Sequence, residues 1–164
     1  MPEEETIKRA RKDKRQGKAP STQAGEFVRE EFHHIRKGKH GARSSKQAIA
    51  IGLSKARRAG VKLAPPAPGH SSPKVRRQAE RDYKKGQKNP GHTASALRGR
   101  IVFAILKHEG RGSASTAAIS RQVRAAARRK TASERSVSAR KAVRTKGSAR
   151  LSAAGKKAAR TRRG

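Results

Sequence analysis

The chain has no cysteine and no tryptophan, and Phe27, Phe32, Phe103 and Tyr83 are its only phenyl or phenol rings. Without thiols there is no disulfide framework and no thiolate nucleophile. Four rings in 164 residues supply no stacking platform of the kind that RNA-reading sheets use. Long apolar runs are also missing: Ile101-Val102-Phe103-Ala104-Ile105-Leu106 is the longest, far short of the roughly 20 residues that cross a bilayer. The start Glu3-Glu4-Glu5 is unlike the basic beginning of a secretory signal. A soluble, intracellular chain is expected, with no membrane partner and no small-molecule substrate.

Acids are scarce as well. Only 11 Asp and Glu oppose 44 Lys and Arg, a formal net charge of +33. Seven of the acids lie within the first 31 residues, whereas residues 110–164 hold 17 basic residues and one acid, Glu134. Like charge on this scale repels itself in a compact state, and a phosphate backbone relieves it by exchanging condensed counterions for Lys and Arg. Nucleic acid is therefore the expected partner, DNA first and RNA second. With 32% hydrophobic residues, burial competes poorly with chain entropy, so short helical units on connectors are expected.

No segment alternates apolar and polar residues as a half-buried strand would, and Pro, Gly and Ser divide the chain into helical stretches. The fold class expected is all-α: two small helical units joined by a proline-rich linker, followed by a disordered basic tail. Residues 1–20 form a basic N-terminal arm whose helix has only Ile7 and Ala10 as apolar residues, too few to pack. Residues 21–62 form a helix-loop-helix unit. Its first helix, about 23–37, carries Phe27, Val28, Phe32 and Ile35 in one band and stops at Gly38. Its second runs from an N-cap at Ser45 to about Ala59, with Ile49, Gly52, Leu53 and Ala56 on one face and Gly60 as its end. Glycine on that face permits close approach of another helix.

Pro65, Pro66, Pro68, Gly69 and Pro73 make residues 63–73 the expected linker. In residues 74–130, a short helix opened by Ser72-Pro73 precedes a turn at Asn89-Pro90-Gly91. A helix over about 93–109, the most apolar in the chain, should be the centre of this second unit; a strand at 101–106 is the alternative, with no partner strand. After a short connection, residues 115–130 place Ile119, Val123, Ala126 and Ala127 on one face. Arg121, Arg124 and Arg128 form a stripe opposite, continued by Arg129 and Lys130. The pair resembles a helix-turn-helix whose outward face suits phosphates or a groove; a merely solvated face is the alternative. The tail, 131–164, adds Arg140, Lys141 and Arg144, which share one side if a helix forms on DNA, then Lys156, Lys157, Arg160, Arg162 and Arg163.

Catalytic equipment is not in evidence. His33, His34 and His40 lack cysteine partners and an i,i+4 histidine pair with a carboxylate between, so they are expected to be surface residues and no metal site is expected. His108 and Glu109 are adjacent and point to different sides of a helix. Gly38-Lys39-His40-Gly41-Ala42-Arg43-Ser44 lacks the P-loop pattern, yet it offers Lys39, Arg43 and backbone N–H groups to a phosphate at the start of a helix. No catalytic residue, metal or cofactor is expected, and the chain is expected not to be an enzyme.

The string Lys46-Gln47-Ala48-Ile49-Ala50-Ile51-Gly52-Leu53-Ser54-Lys55-Ala56-Arg57-Arg58-Ala59-Gly60, with Phe32-His33-His34-Ile35-Arg36-Lys37-Gly38-Lys39-His40 before it, resembles a family of small basic bacterial proteins labelled DNA-binding or plasmid-stabilisation proteins. The resemblance covers about residues 25–62. It implies a nucleoid-associated or plasmid-maintenance role in the cytoplasm, with Lys46, Lys55, Arg57 and Arg58 joining Lys39 and Arg43 as candidate phosphate contacts. The tail from about Ala125 is similar in composition to the Lys/Ala-rich arms of linker histones and bacterial histone-like proteins. Ser72-Pro73-Lys74 begins like a linker-histone minor-groove motif, with Val75 where a second basic residue belongs. The expected function is non-enzymatic, largely sequence-independent DNA binding; the alternatives are an RNA- or ribosome-associated protein and a protein-interaction component of a plasmid stabilisation system.

Overall fold

The structure is a computed structural model and describes residues 2–91 and 96–163. It is all-α. The helices are α1 (Glu4–Arg15), α2 (Pro20–Arg36), α3 (Ser45–Arg58), α4 (Pro73–Lys88), α5 (Ala96–Lys107), α6 (Thr116–Arg128), α7 (Ala132–Lys146) and α8 (Ser148–Arg163), with a 3₁₀ turn at Gly112–Ala114 before α6. Residues 101–106 are helical, so the strand alternative falls. The start expected for α5 at Thr93 lies outside the described residues. Two compact units are present, Met1–Gln122 and Val123–Gly164.

In the first unit, four helices pack in sequence: α1 on α2, α2 on α3 and α3 on α4. Each end has a local cause. Glu4 and Glu5 in the first turn of α1 and Lys12, Lys14 and Arg15 in its last complement the helix dipole. Pro20 occupies the first turn of α2, where its missing N–H costs nothing. Gly38 and Gly60, with φ of 73° and 88°, end α2 and α3 in the left-handed region open to glycine. Ser44, not Ser45, caps α3 by accepting from the Gln47 backbone N–H. Ser45 is buried and donates its hydroxyl to the Ser113 carbonyl instead.

The core is made largely of small side chains. Ala10, Ala24, Phe27, Ala56 and Val61 form one cluster, with Ile7, Leu53, Ala59 and Leu63 against it. Ile35, Ala42, Ala48 and Ala114 form another, flanked by Phe32. Phe27, 1% exposed, is the largest buried side chain, and its burial stabilises by about 1.5–3 kcal/mol. So little apolar volume fills the space only because backbones approach closely. A Cβ at Gly52 of α3 would stand 2.7 Å from the Val28 Cα of α2, and one at Gly86 of α4 would overlap the Arg57 carbonyl oxygen of α3.

Three expectations change. Helix α1 is not a loose arm: Thr6, Ala10 and Asp13 are buried on α2, a stripe of small residues that an apolar count misses. Residues 63–72 do not separate two units, because α4 folds back onto α3. Helix α5 is not the centre of a second core: Leu97, Ile101, Val102, Phe103 and Ile105 are exposed, and Leu106 alone among its described apolar side chains is buried.

The second unit begins within α6 and contains α7 and α8, which pack on each other. Disorder was expected over 131–164, yet α7 and α8 are helices there. Their start is a capping box in which Thr131 accepts from the Glu134 N–H and the Glu134 carboxylate accepts from the Thr131 N–H. Alanine-rich sequence favours helix without any packed face, and Val137 and Val143 remain exposed as the missing apolar stripe implies.

These glycines give a paired test. Gly52→Ala should destabilise by about 1–3 kcal/mol through overpacking, whereas Gly25→Ala, in α2 with nothing within 4 Å of its added Cβ, should stabilise by about 0.5–1 kcal/mol through helix propensity. Urea unfolding monitored by circular dichroism checks both; equal effects of the same sign would refute the close α2–α3 approach.

Candidate functional site

Charged residues that looked alike along the chain separate into two populations. In the first, cations of the helical unit are bound to its own carboxylates. Asp82 of α4 is 1% exposed and accepts from the Ser54 hydroxyl (2.6 Å), Arg58 Nε (2.8 Å) and Gln78 Nε2 (3.0 Å). Arg57 is 7% exposed; its guanidinium donates to the Leu63 and Ala64 carbonyls, so it holds the start of the proline-rich segment on the end of α3. Burial pushes its pKa down from the usual arginine range, opposed by the charge of Asp82. Lys55 lies 2.6 Å from Glu31 Oε2 and 3.5 Å from Glu30 Oε1. Lys55, Arg57 and Arg58 of the expected phosphate contacts are thus engaged within the fold.

Around Lys55 is a buried polar cluster. Glu31 is fully buried, and His34 and His40 are each 7% exposed, contrary to the expectation of surface histidines. His40 Nε2 is 3.1 Å from Glu31 Oε1, and His40 Nδ1 donates to the Gly41 carbonyl. His34 Nε2 donates to Glu3 Oε1 at 2.8 Å, which also takes a hydrogen bond from Lys39 at 2.8 Å. Those two bonds, Lys39 first and His34 second, hold the Glu3 carboxyl at about 2, below its usual 4.5. Lys39 is therefore paired, though half-exposed.

The loop carrying His40 is docked rather than free. Gly41 and Ala42 donate backbone N–H groups to the Leu106 and Gly110 carbonyls, and a Cβ at Gly41 would overlap the Glu109 carbonyl oxygen. Arg36 Nε donates to the Ala114 carbonyl. Arg43 and Lys46 of this region are exposed. The Arg43 backbone N–H is taken by the Gln47 side chain, so it is not offered to a phosphate.

The second population is the exposed one. Arg121, Arg124 and Arg128 lie on α6 at spacings of three and four residues, which places them on one side of the helix. They are exposed, as are Arg129 and Lys130. Helix α6 buries none of its residues; Ile119 is half-buried and Val123 is 60% exposed, so the apolar face expected to seat it in a helix-turn-helix is uncovered. Arg140, Lys141 and Arg144 are exposed on α7, and Lys156, Lys157, Arg160 and Arg162 on α8. Arg163 ends α8, and its side chain lies outside the described residues. Glu134, the one acid of this region, is committed to the α7 cap.

Sequence reasoning missed the pairing of Lys55, Arg57 and Arg58. The available signal was position: Lys55 and Arg57 each follow a small residue of α3, Ser54 and Ala56, and Lys55 meets Glu30 and Glu31 of α2 while Arg58 meets Asp82 of α4.

Residues 4–67 are similar to a family of unknown function, DUF6496. No curated protein matches the chain, and no solved structure does. Among the described residues no helix is long and apolar enough to cross a membrane.

Removing the Asp82 carboxylate should expose the internal role of these charges. Asp82→Ala leaves Arg58 and Ser54 without their acceptor and should cost about 2–4 kcal/mol. Glu80→Ala, which breaks the surface pair of Glu80 with Arg76, should cost less than about 1 kcal/mol. Denaturant midpoints at constant m-value report both.

Proposed function

We propose that this protein binds duplex DNA without strong sequence preference, chiefly by neutralising phosphates with the cations of α6, α7 and α8. The observation that carries the reading is the separation of charge. Most acids of the first unit are paired with its own lysines and arginines, whereas residues 110–164 present 17 basic residues against the single, already bonded Glu134. Exposed guanidinium and ammonium groups on helices that bury no apolar face outnumber the acids there, and a polyanion supplies partners for them. Arg43 and Lys46, exposed at the start of α3, extend the contact to the first unit. A nucleoid- or plasmid-associated role, without catalysis, goes with this mode of binding.

With about eight to ten phosphates contacted, log affinity should fall against log salt with a slope of about −7 to −9. Fluorescence anisotropy on a labelled duplex measures it, and a slope shallower than about −3 would overturn the electrostatic mechanism. Cutting the chain after Lys130 should weaken binding to all duplexes alike; loss of discrimination between sequences would instead mean that α7 or α8 reads bases. Competition by ribosomal RNA at matched salt separates the RNA alternative.

The protein-interaction reading gains one specific observation: Leu97, Ile101, Phe103 and Ile105 on α5 are exposed. A partner that remains bound after nuclease treatment would favour it.

A further inference from the structure

The Glu31–His34–His40 cluster has features that an ordinary buried ion pair does not require. One oxygen of Glu31 and one ring nitrogen from each histidine lie within 4.8 Å of one another, and all three residues are buried. The His40 ring donates its Nδ1 proton to the Gly41 carbonyl, which leaves Nε2 as the ring atom turned toward Glu31 Oε1, 3.1 Å away. A cation held between that nitrogen and that oxygen would satisfy both. Neither Glu31 oxygen has a hydrogen-bond partner. Lys55 touches Oε2 at 2.6 Å as an ionic contact without hydrogen-bond alignment, and Oε1 faces the imidazoles.

The charge count agrees. Glu3, Glu30 and Glu31 converge here with Lys39 and Lys55, one carboxylate more than the lysines, so the cluster can take a cation. The surroundings have the form that supports metal ligands: the second nitrogen of His40 is held by a backbone carbonyl, His34 is held by the Glu3 carboxylate, and Lys55 occupies the far oxygen of Glu31. The Phe103 ring stands edge-on to His40 at 6.3 Å and shields it.

We infer that Glu31, His34 and His40 form a binding site for a divalent transition metal, zinc by preference. Two imidazoles and a carboxylate match the borderline character of zinc. Ligands at about 2.0–2.1 Å in a tetrahedron are about 3.3 Å apart, close to the 3.1 Å separation of His40 Nε2 and Glu31 Oε1. The fourth position is left to water. The metal takes the place of the missing positive charge and clamps the loop bearing His40 to α2, which makes it a structural site and independent of the DNA-binding reading.

The test uses the full chain, freed of nucleic acid by nuclease and high salt and stripped with a chelator, then titrated with cobalt(II) and zinc(II). One metal per chain is expected, with the intense visible absorption of four-coordinate cobalt, bleached by zinc. His40→Ala should weaken binding by more than about 100-fold and Glu3→Gln by about 10–100-fold, while His33→Ala, altering an exposed histidine on the helix that bears Glu31 and His34, should leave it unchanged. Because His40→Ala can perturb folding, cadmium-113 resonance of the unmodified chain gives a second readout, expected as one signal in the nitrogen–oxygen ligand range. Absence of stoichiometric binding, or binding that survives His40→Ala with native circular dichroism, would overturn the site.

Discussion

The first unit depends on burying carboxylates against its own cations. Its apolar core, mostly alanine with one fully buried phenylalanine, is too slight to hold four helices by area alone. Asp82 ties α4 to α3, Glu30 and Glu31 tie α2 to α3 through Lys55, and Glu30 accepts from the Glu3 backbone to fix the entry to α1. Such contacts are demanding. A buried carboxylate without its partner costs several kcal/mol, so each pair also selects one register between helices, and the close contacts at Gly52 and Gly86 exist only in that register.

This use of acids explains why charge is so unevenly distributed. A helical unit that consumes its carboxylates internally contributes little net attraction for a polyanion from Lys55, Arg57 or Arg58. About half of the surplus lies on residues 110–164, where capping and alanine content hold α6 to α8 with no buried residue among those described and a single acid, Glu134, stands among the cations. The protein thus combines a region knit by ion pairs with one in which cations far outnumber acids.

Much of the helical organisation was legible. The glycine stops at Gly38 and Gly60, the serine–proline start of α4 and the clean face pattern of α6 follow from local backbone chemistry, which acts within four residues. The packed side of α1 was not, because Thr6, Ala10 and Asp13 are not apolar enough to register as a stripe. Nor was the fate of α5. A strongly apolar segment was expected to seek a core, yet its neighbours are docked through backbone bonds at Gly41 and Ala42 and leave most of its face uncovered. Prolines at 65, 66 and 68 rule out helix, but they say nothing about whether the chain beyond them turns back.

By itself, the sequence determined the all-α class, the positions of most helix ends, the excess of positive charge and its concentration after Gly110, since composition and local propensity depend on no distant contact. Tertiary structure decided which cations remain available and which histidines are buried. Lys55 and Lys46 are equivalent as letters, and only the position of α2 puts Glu31 against one and solvent against the other. His33 and His34 are adjacent, yet a helix turns successive side chains about 100° apart, so one faces outward while the other meets Glu3 within the cluster that includes His40.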